Sequence, residues 1–186
     1  LPFTIIMNLY YSVQKIRYGS AAGDLIKNLP ENVIVHVLKY TDEAARIDSA
    51  TAWHLLDKVS QKAFSKTLDG VSFDSEKPTI RGFYIGVSHS KGVAVAAAAS
   101  ENFGVDFERI DPARKIESLK RFLNSKAVSL DGLFIDWCRR ESAVKFYGEV
   151  KKDYGELNFL TGVTEIYGEK YAYSFAAKET INLIKI

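Results

Sequence analysis

The sequence predicts an α+β protein, and three observations carry that expectation. Stretches with the two-residue period of a strand and stretches with the 3.6-residue period of a helix follow one another along the chain. The chain has 186 residues, 47% apolar and 26% charged, enough for a real core of ordinary globular composition. An alanine-rich strand pattern occurs twice, at residues 93–101 and 171–179, each time followed by a polar turn and another strand. The echo has two readings: chance similarity of two alanine-rich hairpins, or two related halves with a ligand at their interface. In that register Asp106 matches Ile184 and Glu108 matches Ile186, so the second copy would lack the acids.

Taken in order, residues 3–13 are rich in Ile, Tyr and Val and read as a strand. Residues 18–23 form a small-residue loop, and a short helix ends near Asn28-Leu29-Pro30. The compact apolar run of residues 33–38 is consistent with a buried strand. From Thr41 the pattern becomes helical. Thr41 or Asp42 can cap the first turn, and Ala45, Trp53, Leu56, Val59 and Phe64 supply an apolar side. A polar connection at residues 70–78 precedes strands at 82–87 and 93–99, which flank the turn Ser88-His89-Ser90-Lys91-Gly92. A helix is expected over residues 112–123, a loop over 125–132 and the clearest helix over 133–148. Two or three strands complete the chain.

Composition narrows the function classes. A net charge of +2 is too mild to make nucleic acid the main partner. The single cysteine, Cys138, forbids an internal disulfide and fits a reducing compartment. The apolar start lacks a basic leader and a small-residue cleavage site, so no signal peptide is expected. No run has the length of a membrane span.

The chemistry concentrates in three segments. In residues 103–108, Phe-Gly-Val-Asp-Phe-Glu, the strand period puts Asp106 and Glu108 on one face and Val105 and Phe107 on the other. Alone, such a pair is most often a solvated face. Yet two carboxylates about 6–7 Å apart along a strand repel unless a cation intervenes, and Mg²⁺ favours such oxygen ligands. In the second segment Trp137, Glu141 and Lys145 recur every four residues and share a helix stripe. Its plain reading is a surface Glu–Lys pair. Alignment with a tryptophan argues instead for a packed edge, where such groups have a metal, a ligand or each other. In the third, Ser88-His89-Ser90 offers hydroxyls and an imidazole suited to an anion.

In this order and spacing the segments resemble the 4′-phosphopantetheinyl transferase superfamily, in its larger pseudo-dimeric form. Tyr84-Ile85-Gly86-Val87-Ser88-His89-Ser90, Gly104-Val105-Asp106-Phe107-Glu108 and Trp137-Cys138-Arg139-Arg140-Glu141-Ser142-Ala143-Val144-Lys145 look like its three motifs. Lys77-Pro78 and Lys120-Arg121-Phe122-Leu123 add support. The resemblance implies two similar halves, residues 1–100 and 101–186, related by a pseudo-twofold. Each would be a small antiparallel sheet with a packed helix, and a ligand cleft would lie between them. It implies Mg²⁺-dependent transfer of the phosphopantetheine arm of coenzyme A to a serine of an acyl or peptidyl carrier protein, by a cytoplasmic monomer. By motif position Asp106, Glu108 and Glu141 would ligate the metal, Glu141 would also serve as base, and Lys145 would contact the phosphates. Ser88, His89 and Arg46 would hold the nucleotide, with Lys77 and Pro78 bordering adenine. Three departures stand out: Arg140 where the family has lysine, Gly86 where it has asparagine, and Ser125-Lys126-Ala127 where an acid is common. They keep two rivals open: a coenzyme A or carrier-protein binding module without turnover, and a structural domain with merely solvated acids.

Overall fold

The computed structural model describes residues 5–19, 21–73, 77–114, 116–151 and 153–186. These form a mixed α+β fold of five helices and two sheets. The chain begins with β1 (Ile6–Lys15), α1 (Ala22–Ile26), α2 (Glu31–Val37) and the long α3 (Glu43–Phe64). Next come β2 (Val71–Ser72), β3 (Thr79–Ile80), β4 (Phe83–Ser90), β5 (Val93–Ala99) and β6 (Phe103–Arg109). The remainder is α4 (Ile116–Leu123), α5 (Leu130–Tyr147), β7 (Asn158–Ile166), β8 (Glu169–Ala177) and β9 (Thr180–Lys185).

One sheet has the strand order β2-β3-β4-β5-β1-β9 and is antiparallel except where β1 runs parallel to β9; the other is antiparallel, β6-β8-β7. β5 explains how the layers stack. All seven of its residues are buried, so it shows no polar alternation. Ala94, Ala96 and Ala98 face α3, where Trp53, Leu56 and Val59 pack. Val93, Val95, Ala97 and Ala99 face the second sheet and meet Phe103, Val105, Phe107 and Phe175. Small side chains on both faces let a helix and a sheet close on one strand. On the far side of the second sheet, α5 buries Phe134, Cys138, Ala143 and Phe146 against Ala172 and Ala176.

Three expectations need correction. Residues 33–38 are not a strand but the body and end of α2. Only Val33 and Val37 are buried, four residues apart, while Val35 is exposed. Pro30 and Glu31, which suit a helix start, outweigh the β-branched run. Second, β4 continues through Ser90, so the turn is only Lys91-Gly92, both with positive φ, joining β4 to β5 as a tight hairpin. Third, the alanine-rich repeats are not hairpins. β5 already lies between β4 and β1, and β8 between β6 and β7, so neither has a free edge for the strand that follows it. Each time the chain crosses to the other sheet: β5 leads to β6, and β8 leads to β9. Elsewhere the helix expected over 112–123 occupies Ile116–Leu123, and the one over 133–148 occupies Leu130–Tyr147. Asp42 caps α3 by accepting from the Ala45 N–H at 2.9 Å.

Candidate functional site

The site forms where β4 of the first sheet passes the edge of β6 and where α5 lies over β6. Gly104 makes the second approach possible. A Cβ there would fall 1.8 Å from the Ser142 carbonyl oxygen, so α5 rests directly on the strand backbone. The alternation read from the sequence holds: Val105 and Phe107 enter the core between the sheets, whereas Asp106 and Glu108 project beside α5 and β4.

β6 is an edge strand, and β4 completes it with side chains. The Phe107 N–H donates to Ser88 Oγ and the Arg109 N–H to Ser90 Oγ, each at 3.1 Å. The same hydroxyls donate onward, Ser88 to Asp106 at 3.1 Å and Ser90 to Glu108 at 2.9 Å. Two serines thus satisfy an open edge and orient two carboxylates. Lys145 reaches down from α5 and pairs with Asp106 Oδ1 at 2.7 Å. Arg114 lies 3.8 Å from Glu108 and stacks on Trp137, with its guanidinium 4.1 Å from a ring centroid.

The carboxylates carry an unbalanced demand. Asp106 is only 4% exposed, and its Oδ2 has no hydrogen-bond partner among the described residues. Burial, and then the neighbouring Asp106 charge, push the Glu108 carboxyl above its usual range. A cation beside both acids would relieve both costs. The oxygen donors suit a hard divalent ion, so Asp106 and Glu108 fit the expected metal as a two-carboxylate set. Among the described residues, no three His, Cys, Asp or Glu side chains form a group that could hold a metal ion. Glu141 is half-buried, one helical turn before Lys145.

Beside this cluster opens a cavity of about 530 Å³, walled by Lys77, Pro78, Gly86, Phe103 and Lys145. Lys77 donates to Asn102 at 2.9 Å, and its ammonium lies 5.1 Å from the Phe103 ring centroid. Burial, and then the nearby Lys145 charge, bring its pKa down to about 7. Gly86 shows why an asparagine would not fit unchanged: a Cβ there meets Phe103 and Val105 at 3.1 Å.

Other predicted residues part company. Strand alternation sends Ser88 toward the carboxylates and His89 toward α3, on the side of Ile85 and Val87. Arg46 donates through Nε to the Tyr40 carbonyl at 2.7 Å. Arg140 stacks on Phe122 of α4, 4.1 Å from the ring centroid. The sequence reading missed Ser90's role at Glu108, Arg114 and the His36–Phe73 stack, whose centroids lie 5.1 Å apart in the cavity wall. Ser90 could have been found by extending the β4 alternation two residues. The stack was hidden because α2 resembled a strand. No model of a known protein family matches the chain, and no curated protein is detectably similar to it.

Proposed function

We propose that this chain is a Mg²⁺-dependent transferase that moves the 4′-phosphopantetheine arm of coenzyme A to a serine of an acyl or peptidyl carrier protein. The observation that carries the reading is the meeting of three separate segments at one point. Ser88, Asp106 and Lys145 form a single hydrogen-bonded cluster, with a lysine-lined cavity alongside. The resemblance gives these segments a shared task; their convergence supports it.

In this reading the adenine of coenzyme A occupies the cavity, bordered by Lys77 and Pro78, and Lys145 faces the phosphates. The flat His36–Phe73 wall suits a purine ring. Asp106 and Glu108 would hold the metal, and Glu141 from α5 is the third ligand that the resemblance implies. When bound, Mg²⁺ neutralises charge on pyrophosphate oxygens. The carrier's serine oxygen attacks the β-phosphorus, the bond to the bridging oxygen breaks, and adenosine 3′,5′-bisphosphate leaves. Glu141 takes the serine proton, directly or through water. Lys145 stabilises charge developing on the phosphoryl oxygens. The reading also expects two related halves about a pseudo-twofold and a cytoplasmic monomer.

Incubation with an apo carrier protein, labelled coenzyme A and Mg²⁺ should give a carrier heavier by one phosphopantetheine, and Asp106→Ala should abolish the transfer. A folded protein that modifies no carrier in a broad panel, and that coenzyme A does not stabilise thermally, would overturn the reading. The second reading, a binding module without turnover, is favoured by one observation: Arg140 is engaged with Phe122 where the family has a lysine. It expects thermal stabilisation by coenzyme A without transfer.

A further inference from the structure

Among the predicted nucleotide contacts, His89 has its own local environment. Its Nδ1 lies 3.9 Å from Asp48 Oδ2 on α3, and the Asp48 side chain is 16% exposed. The other Asp48 oxygen accepts from the Tyr18 hydroxyl at 2.7 Å, so the carboxylate is anchored from the loop after β1. On another side the Tyr40 ring meets the imidazole edge-on, with centroids 6.2 Å apart. Tyr40's carbonyl accepts from Arg46, which ties this wall to the first turn of α3. The imidazole is therefore bounded by an anchored carboxylate and an aromatic ring.

We propose that Asp48 is a positioning residue that holds His89 and stabilises its protonated form, so that the imidazole meets a phosphate as a charged donor. The proposal rests on the reading that the cleft takes coenzyme A, whose ribose phosphate is the anion in question. An aspartate behind a histidine stabilises the imidazolium that forms when negative charge arrives on the other side. Burial, and then the Lys145 charge, hold His89 below its ordinary range, and Asp48 is the strongest of the groups that oppose them. The other charged groups acting on the ring are Lys145 from α5 and Asp106 from β6, of opposite sign. Asp48 thus favours the charged form that burial opposes. The imidazole takes up a proton as the phosphate binds.

Calorimetric titration with adenosine 3′,5′-bisphosphate and with adenosine 5′-phosphate, in two buffers of different ionisation enthalpy, tests this. The intact protein should prefer the bisphosphate and take up protons on binding it. Asp48→Ala should lose that uptake and about three- to tenfold of the preference. Asp48→Asn, which keeps the shape but not the charge, should lose the uptake and retain part of the preference. A purely structural role for Asp48 would instead leave the proton uptake intact in Asp48→Asn. Unchanged proton uptake in Asp48→Ala, or no uptake by the intact protein, overturns the proposal. Failure of carrier modification with uptake and preference intact would instead sink the transferase reading and leave this one standing. Binding of neither nucleotide overturns both.

Discussion

Asp106 is held by one cation and one hydroxyl, and that division of labour can be measured. Lys145→Met should cost about 1–3 kcal/mol, because it leaves a buried carboxylate with only Ser88 on Oδ1. In an Asp106→Asn background the same change should cost much less, and a double-mutant cycle by urea unfolding reads the difference. Equal costs in both backgrounds would show that the pair is not coupled. Lys77 gives a pH signature. Its folded-state pKa is lowered to about 7 from 10.5, so the folded protein binds fewer protons than the unfolded chain between those values. Stability from this residue therefore rises with pH across that window, and its destabilising contribution is complete below it. Lys77→Met should stabilise the protein at pH 6, with the gain shrinking toward pH 10. At this scale the sequence was informative where period alone decides: Asp106 and Glu108 share a face as their spacing requires. It was misleading at Ser88 and His89, because residue 91 is a lysine in a left-handed turn position that usually calls for glycine or asparagine. A lysine there makes the turn look longer than it is and hides the alternation of those two side chains.

The element contact that builds the site is α5 on β6, and Gly104 is its hinge of tolerance. Gly104→Ala should cost about 3 kcal/mol or more, or abolish folding, since a methyl group would overlap the Ser142 backbone carbonyl. Gly86→Ala meets only side-chain atoms at 3.1 Å and should cost about 1 kcal/mol. Chemical denaturation compares the two; a Gly104→Ala protein as stable as the parent would refute the close packing. Neither demand was visible in the sequence, because a glycine in a strand does not say which neighbour needs the space. α2 resembles a strand in the sequence for a related reason. A short run of β-branched residues carries no period long enough to decide, and only its burial at Val33 and Val37 reveals a helix. By contrast α5 and β5 were legible, one by length and period, the other by an apolar run with no polar face.

For the molecule as a whole, the two tryptophans provide separate reporters. Trp53 sits under the first sheet on α3, and Trp137 rides on α5 beside the second. The sheets share one packed interface, with residues from β1, β5, β6 and β8. Single-tryptophan variants, Trp53→Phe and Trp137→Phe, should therefore unfold with matching midpoints once each is compared with its own circular dichroism transition. Midpoints that separate within one variant would mean that the layers melt independently. The repeat in the sequence pointed to the strand pairs involved but not to their partners, since pairing depends on which edges are free.

The reciprocal crossing of β8 to β9 also matters while the chain is being made. β1 is made well over a hundred residues before its partner, for one of its edges is closed only by residues 180–185. At translation rates of about 5–20 residues per second, that edge stays open for seconds and can pair with another nascent chain. The same connection that unites the finished molecule leaves one edge of β1 without its partner until β9 arrives.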